Sequence, residues 1–221
     1  MNKAIVSLSG GMDSATVLDW LKAKKRCKVE AVSFDYGSKH NEYELPKAEA
    51  LAAYYGVPHE IINLKDVFGS FKSDLLLSGG DIPEGHYTDA SMVATVVPCR
   101  NLIMLSIIAG LAESKGCDTI ALGIHQGDHA IYPDCRESFY NSLRLTVQEA
   151  TDGKVDTIAP FLNTDKYGIL EYGFMNDVPY KLTRTCYKAQ ELSCGKCGSC
   201  VERIEAFAKF GTKDPIAYEN C

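Results

Sequence analysis

The chain has 221 residues, 46% hydrophobic and 24% charged, enough for one domain with a substantial core and no disordered or low-complexity stretch. Its net charge of −6, from 23 Lys and Arg against 29 Asp and Glu, argues against a broad nucleic-acid surface, which needs clustered cations to neutralise phosphates. Residues 1–30 carry no signal-peptide pattern and no stretch approaches the ~20 apolar residues of a membrane span, so the expectation is a cytoplasmic protein with neither membrane nor stable nucleic-acid partner.

Lys3 to Leu8 is a short buried strand that runs into a glycine loop, and Ser14 to Lys25 follows as a helix with Val17, Leu18 and Leu21 on one face. The basic cluster Lys22 to Arg26 reads as its solvated end. A strand at Val29–Phe34 precedes a helix from about Glu42 to Tyr55, with Pro46 in its first turn and Gly56 as its stop. His59–Leu64 is a third strand, Leu102–Ser114 a long apolar helix, and Thr119–Ile124 a fourth strand. Arg136–Ala150 is helical and Val155–Ala159 is a fifth strand. This alternation predicts an α/β, doubly wound, mostly parallel five-stranded sheet of the Rossmann type, with ligands at the carboxyl ends of its strands. Residues 65–98, punctuated by Gly79-Gly80, Pro83, Gly85 and Pro98, break the pattern and read as a lid or a disordered insertion. Two regions are expected: a nucleotide-binding domain over residues 1–175, and a cysteine-rich C-terminal region over 176–221 closed by a helix at Val201–Phe210.

Between the first strand and first helix, Leu8, Ser9, Gly10, Gly11, Met12, Asp13 and Ser14 form the candidate phosphate loop. The turn and the helix N-terminus present backbone amides to an anion, the glycines allow close approach, and Ser9 and Ser14 add hydroxyls. Asp13 is out of place for a plain phosphate site, because a carboxylate repels phosphate; it reads either as a Mg²⁺ bridge or as a helix cap. Neither G-x-x-x-x-G-K-[ST] nor G-x-G-x-x-G occurs, which excludes the two commonest nucleotide loops.

Nine cysteines are present, and three crowd into Cys194, Cys197 and Cys200, with Cys186 eight residues upstream. That spacing points to metal in a reducing compartment rather than a disulfide framework. Four thiolates close a tetrahedral Zn²⁺ site with a structural role. An iron–sulfur cluster also takes four cysteines; zinc is favoured because nothing else in the chain suggests redox chemistry. The other cysteines read as buried or incidental thiols, with Cys135 kept open as a nucleophile.

Directly after the fourth strand, residues 125–136 gather two imidazoles, two carboxylates, a phenol and a guanidinium. His125, Asp128 and His129 fit no single helix face as metal ligands, so substrate recognition is favoured. In order along the chain stand Ser9-Gly10-Gly11-Met12-Asp13-Ser14, Asp35-Tyr36-Gly37-Ser38-Lys39-His40, Cys99-Arg100-Asn101, Tyr132-Pro133-Asp134-Cys135-Arg136 and Thr185-Cys186-Tyr187 with the cysteine tail. Together they resemble the 7-cyano-7-deazaguanine synthase family of queuosine biosynthesis, within the PP-loop ATP pyrophosphatases, over essentially the whole chain.

The resemblance implies an adenine nucleotide alpha hydrolase-like fold and an enzyme that turns 7-carboxy-7-deazaguanine and ammonia into a nitrile. It would use two ATP with Mg²⁺ and pass through adenylated acid and amide. It further implies a homodimer, and one structural zinc per chain on Cys186, Cys194, Cys197 and Cys200. Asp13, Arg100 and Lys166 are then the catalytic candidates, the two cations offsetting phosphate or leaving-group charge. Tyr36, His40, Asp128, Tyr132, Asp134 and Arg136 are the candidates for the deazaguanine and its carboxylate, with Asp134 suited to accept from guanine-like N–H groups. Two positions depart from the pattern: Cys99 stands where asparagine is expected, and Arg184 where an aromatic is expected. The rival readings are a tRNA-thiolating relative, an amidotransferase synthetase half, a relative attaching a deazaguanine to a macromolecule, and a silent zinc-stapled nucleotide binder. The first would need a reactive cysteine and a basic extension, and the second a glutaminase partner.

Overall fold

A computed structural model describes residues 3–25 and 27–219; the side chains of Lys24, Lys25, Asp128 and His129 also lie outside the description. Arg26, the end of the basic cluster, is therefore outside the described residues.

Five parallel strands make one sheet in the order β3-β2-β1-β4-β5. They are β1 (Lys3–Ser7), β2 (Lys28–Asp35), β3 (His59–Asn63), β4 (Thr119–Ala121) and β5 (Asp156–Ile158). The alternation along β1 sorts the core. Ile5 joins Val32, Phe34, Ile120 and Leu122 in the cluster on one face, whereas Ala4 and Val6 join Ala31 and Ala121 on the other. Helices α4 (Arg100–Ser114) and α5 (Glu137–Ala150) contribute to the first cluster. The second takes residues of α1 (Met12–Trp20), α2 (Asn41–Tyr55), α6 (Lys166–Met175) and α7 (Gly198–Phe210). A single turn, α3 (Lys65–Phe68), follows β3.

Several boundaries move from their expected places. β4 ends at Ala121, three residues early, because Leu122 donates a last bond to Ile158 (2.9 Å) and the chain then turns at Gly123 across the start of α1. Helix α1 stops at Trp20, and Leu21–Lys25 winds on as a π-turn. Because α2 begins at Asn41, Pro46 lies in its second turn, where the missing N–H leaves the Glu42 carbonyl without its helical donor. Helix α6 has no counterpart in the sequence reading. It is apolar on every side and carries Gly168 and Gly173, so no stripe marks it. It starts where the Asp165 carboxylate accepts from the Gly168 amide at 2.9 Å.

Residues 65–98 are a packed cover. Phe68, Leu75, Leu76 and Met92 are buried, and a 3₁₀ turn runs from Ala90 to Thr95. The Lys39 ammonium ties the cover down by donating to the carbonyls of Asp74 (2.8 Å), Gly79 (3.2 Å) and Gly80. Further on, the Gly85 amide donates to Lys196 in the cysteine region (2.9 Å). By length and composition, the stretch Ala90–Ser114 passes as a membrane span, contrary to the sequence expectation. It breaks at Cys99, whose backbone is left-handed, and the 15 residues of α4 reach only ~22 Å, packed against β1 and β4.

Candidate active site and metal centre

In a sheet of this order, the strand connections leave on opposite faces beside β1 and β4, and the crevice between their carboxyl ends is where a ligand fits. A cavity of about 210 Å³ opens there. Leu8, Ser9, Gly11, Met12, Asp13, Ser14, Tyr36, His40, Arg100, Tyr132 and Lys166 all line it, so most of the sequence-derived candidates converge on one space.

The loop after β1 is shaped by close approach. Gly10 has φ +92°, and a Cβ there would sit 2.4 Å from the Glu44 carbonyl oxygen at the start of α2. Across the crevice, a Cβ on Gly123 would meet the Ser14 amide at 3.1 Å. The Ser14 hydroxyl accepts from the Ser9 amide (3.2 Å) and lies 3.1 Å from the Ser9 hydroxyl. The Ser9 hydroxyl also accepts from the Gly11 amide at 3.2 Å. Two hydroxyls and the first amides of α1 are thereby collected at a helix N-terminus, a cradle for an anion.

Asp13 does not cap α1. The N-cap is Gly11, which makes no side-chain cap bond, and the Asp13 carboxylate turns to Lys166, whose ammonium lies 2.6 Å from Oδ2. His125 Nε2 is 3.6 Å from the same oxygen and 2.9 Å from the lysine nitrogen. Glu202 of α7 is 3.3 Å from that ammonium. Burial by itself would raise the Asp13 carboxyl, but the Lys166 charge and then His125 outweigh it and hold the group well below the usual carboxylate range. The carboxylate is therefore ionised, and its Oδ1 is buried with no hydrogen-bond donor among the described residues. That oxygen is a hard donor that would suit a divalent cation accompanying a bound nucleotide.

Beyond the loop the cavity is aromatic. The Tyr36 hydroxyl lies 3.3 Å from His40 Nε2, which is 3.5 Å from Glu44 Oε2. Hydroxyls then chain from Tyr87 to Tyr187 (2.7 Å), Tyr187 to Tyr132 (3.4 Å) and Tyr132 to Thr95 (2.9 Å). The Arg100 guanidinium sits 5.7 Å over the Tyr132 ring. Burial lowers the tendency of Arg100 to hold its proton, yet Tyr36, Cys135 and the neighbouring tyrosines more than restore it. Burial, followed by the Arg100 and Arg184 charges, brings His40 down to about 3. Burial also pushes Glu44 up to about 8 against the same two cations.

Two substrate candidates stand outside this cavity lining. Asp134 caps α4, with its carboxylate accepting from the Asn101 amide at 2.8 Å. Arg136 is exposed and serves as the N-cap residue of α5. Both are set by neighbouring helix ends, which a linear motif does not reveal. The Asp128 side chain is outside the described residues, and Gly10 shapes the loop without lining the cavity. Conversely, Ser33, Glu44, Tyr87 and Tyr187 line the cavity without having been singled out as site residues. Only Tyr187 had a signal, its place in Thr185-Cys186-Tyr187. Cys135 lines the cavity as a buried thiol accepting from the Asn101 amide side chain at 3.3 Å. Arg184 is buried as well. Its guanidinium stacks 4.8 Å over Tyr43, donates to the carbonyls of Lys188, Gln190 and Glu191, and its backbone amide donates to Gly10 at 2.9 Å. The backbone of Arg184 thus ties to the loop, while its charge orders the segment leading to Cys194.

The Cys186, Cys194, Cys197 and Cys200 sulfurs are all buried and lie within 4.8 Å of one another, so the group can hold a metal ion. Cys197 is the N-cap of α7 and Cys200 lies in its first turn. Backbone amides point at the sulfurs: Cys194 at Cys186 (3.3 Å), and Lys196 and Cys197 at Cys194 (3.4 and 3.3 Å). The Cys194 and Cys200 sulfurs are 3.9 Å apart. A tetrahedral ion with ~2.3 Å bonds to sulfur sets its ligands about 3.8 Å apart. Behind this centre Arg203 is wholly buried, paired with Asp214 at 2.7 and 3.0 Å and donating to Thr183 and Thr185.

The family model described as queuosine biosynthesis protein QueC matches residues 3–211. The chain belongs to the QueC family. Curated QueC relatives carry the name 7-cyano-7-deazaguanine synthase. The one from Porphyromonas gingivalis (strain ATCC 33277) is 48% identical over 218 residues, covering 98% of this chain and 97% of the relative. Those from Psychromonas ingrahamii and Pseudoalteromonas atlantica are 45% and 43% identical, over 99% of this chain and 98% and 100% of their own lengths. Among solved structures, the U34-tRNA thiolase NcsA from Methanococcus maripaludis with its [4Fe-4S] cluster superposes with a TM-score of 0.55 at 18% identity. It covers 95% of this chain and 66% of that one, a likeness of fold alone. This QueC chain is accordingly an enzyme of queuosine biosynthesis, with an α/β fold like that of the thiolase.

Proposed function

We propose that the chain is an ATP-dependent ligase that converts 7-carboxy-7-deazaguanine and ammonia into 7-cyano-7-deazaguanine. The observation that carries this reading is the single cavity in which the Ser9–Ser14 cradle and the Lys166–Asp13 pair adjoin a tyrosine-rich chamber. A carboxylate resists attack by ammonia until its oxygen becomes a better leaving group. The cradle holds ATP so that a carboxylate oxygen in the chamber attacks the α-phosphorus and displaces pyrophosphate. Ammonia then attacks the acyl carbon, AMP leaves, and a second adenylation of the amide oxygen followed by loss of AMP gives the nitrile. Lys166 and Arg100 offset charge on the phosphates, and the loop and tyrosines hold the reactants in line. Mg²⁺, held by Asp13, supplies further neutralisation of phosphate charge.

Zinc on the four thiolates is structural, since four protein ligands leave no open position. The narrow grouping of the sulfurs supports a single ion over a polynuclear cluster. The enzyme works as a homodimer in the reducing cytoplasm, where thiolates remain available to metal. The test is incubation with 7-carboxy-7-deazaguanine, ammonium, Mg²⁺ and ATP. The expected products are AMP, pyrophosphate and a nitrile identified by mass. Release of ADP, or absence of the nitrile, overturns the reading.

A further inference from the structure

Between ammonium and nitrile the nitrogen sheds all four of its protons, so the chamber needs a base facing that nitrogen. Among the described residues lining the cavity, two are carboxylates, Asp13 and Glu44. Asp13 is held by Lys166 and His125 and is too weak a base for the task. Glu44 lies on the other side of the loop. Its main-chain oxygen is 2.4 Å from where a Gly10 Cβ would stand, and its side chain opens into the cavity beside His40.

We propose that Glu44 is the catalytic base of the amination and dehydration steps, an inference that rests on the function proposed above. The carboxylate takes a proton from ammonium, and the freed lone pair forms the C–N bond at the acyl carbon. The C–O bond to AMP breaks with its electrons on the departing phosphate, and the nitrogen loses a second proton. In the second round the amide oxygen attacks the α-phosphorus of ATP, breaking the bond to pyrophosphate as the nitrogen gives up its third proton. Loss of the fourth accompanies rupture of the C–O bond and closure of the C≡N bond. Between transfers Glu44 returns its proton to solvent, its side chain being only part-buried beside His40 Nε2, 3.5 Å away.

The charged and titratable groups around this carboxylate fit the role. They are His40 and Tyr43 on or beside α2, Tyr36 after β2, Arg100 at the start of α4, and Arg184 and Tyr187 on either side of Cys186. The two guanidiniums disfavour ammonium and favour neutral ammonia, the nucleophile. Burial raises Glu44 to about 8, which makes it a far stronger base near neutral pH than an ordinary carboxylate.

Glu44→Gln keeps shape and volume and removes the base. Nitrile formation is expected to fall ~10²–10⁴-fold, while substrate-dependent exchange of pyrophosphate into ATP, which needs no base at nitrogen, stays within roughly threefold of wild type. The wild-type rate should rise with pH through about 8, and the variant should lack that limb yet regain amide formation in alkaline ammonium, where ammonia is already free. Glu44→Asp, with the carboxylate drawn back, should fall between. Nitrile formation at the wild-type rate with an unchanged pH profile overturns the proposal, as does an exchange rate that falls in step with nitrile formation. If wild type itself makes no nitrile, the failure is that of the proposed reaction and removes this inference with it.

Discussion

Gly10→Ala tests whether the phosphate loop is shaped by crowding against α2. The residue sits at φ +92°, where an L side chain costs roughly 1–2 kcal/mol. The new Cβ would also stand 2.4 Å from the Glu44 carbonyl and 3.0 Å from the Ala48 amide, so loop and helix must part by about 1 Å to reach ordinary contact. Overpacking of that kind costs roughly 1–3 kcal/mol. Together the loss is about 2–5 kcal/mol, and at ~2–4 °C per kcal/mol for a chain of this size the melting temperature falls by about 10 °C. Gly56→Ala is the control: φ is +60° with nothing within 4 Å, so only the backbone cost of about 1–2 kcal/mol applies. Urea denaturation of both variants measures the difference, and nucleotide affinity should fall about tenfold for Gly10→Ala alone, the equivalent of ~1.4 kcal/mol. If the two variants unfold alike and bind ATP alike, the crowding argument is wrong.

Lys166→Met removes the largest charge holding Asp13 ionised, and adenylation measured by pyrophosphate release should drop about 10²–10³-fold. Because the folded Asp13 value is depressed, its contribution to stability is present above the unfolded carboxylate value and lost only as pH falls through the folded one. In the variant burial dominates and the carboxyl rises, so the acid limb of thermal stability should move to higher pH; an unmoved limb refutes the pairing. Arg203→Met leaves Asp214 buried without its partner and should cost about 3–5 kcal/mol in urea denaturation, whereas a loss under ~1 kcal/mol would contradict the buried pair. Purified protein should contain about one zinc per chain, and a strong chelator should expose the four thiols to titration and lower the melting temperature. Iron in place of zinc would overturn the metal assignment.

The strands and the phosphate loop were legible because both are local. β1 alternates its side chains between two cores, and Ser9–Ser14 stands where any strand-to-helix turn presents amides. Helix α6 was not legible, because its apolar residues, the exposed Phe174 and Met175 included, spread round it and leave no polar face to mark it. The cover over residues 65–98 was equally opaque: its order comes from Lys39 and from the cysteine region, both distant in sequence. At the site, His40, Tyr36 and Tyr132 were picked from motifs and do line the cavity, whereas Asp134 proved to be a helix cap and Glu44 had no motif at all.

What the sequence determined by itself is what depends on spacing along the chain: a serine- and glycine-rich turn at a helix N-terminus, and four cysteines close enough to share one ion. The tertiary structure decided which groups face one another. Asp13 meets Lys166 across 153 residues, and Arg184 braces Gly10. Burial raises Glu44 to about 8 although two guanidiniums pull the other way, a balance that only the fold sets. Protonation and charge pairing depend on distance and on exclusion of water, and neither is written in the order of the residues.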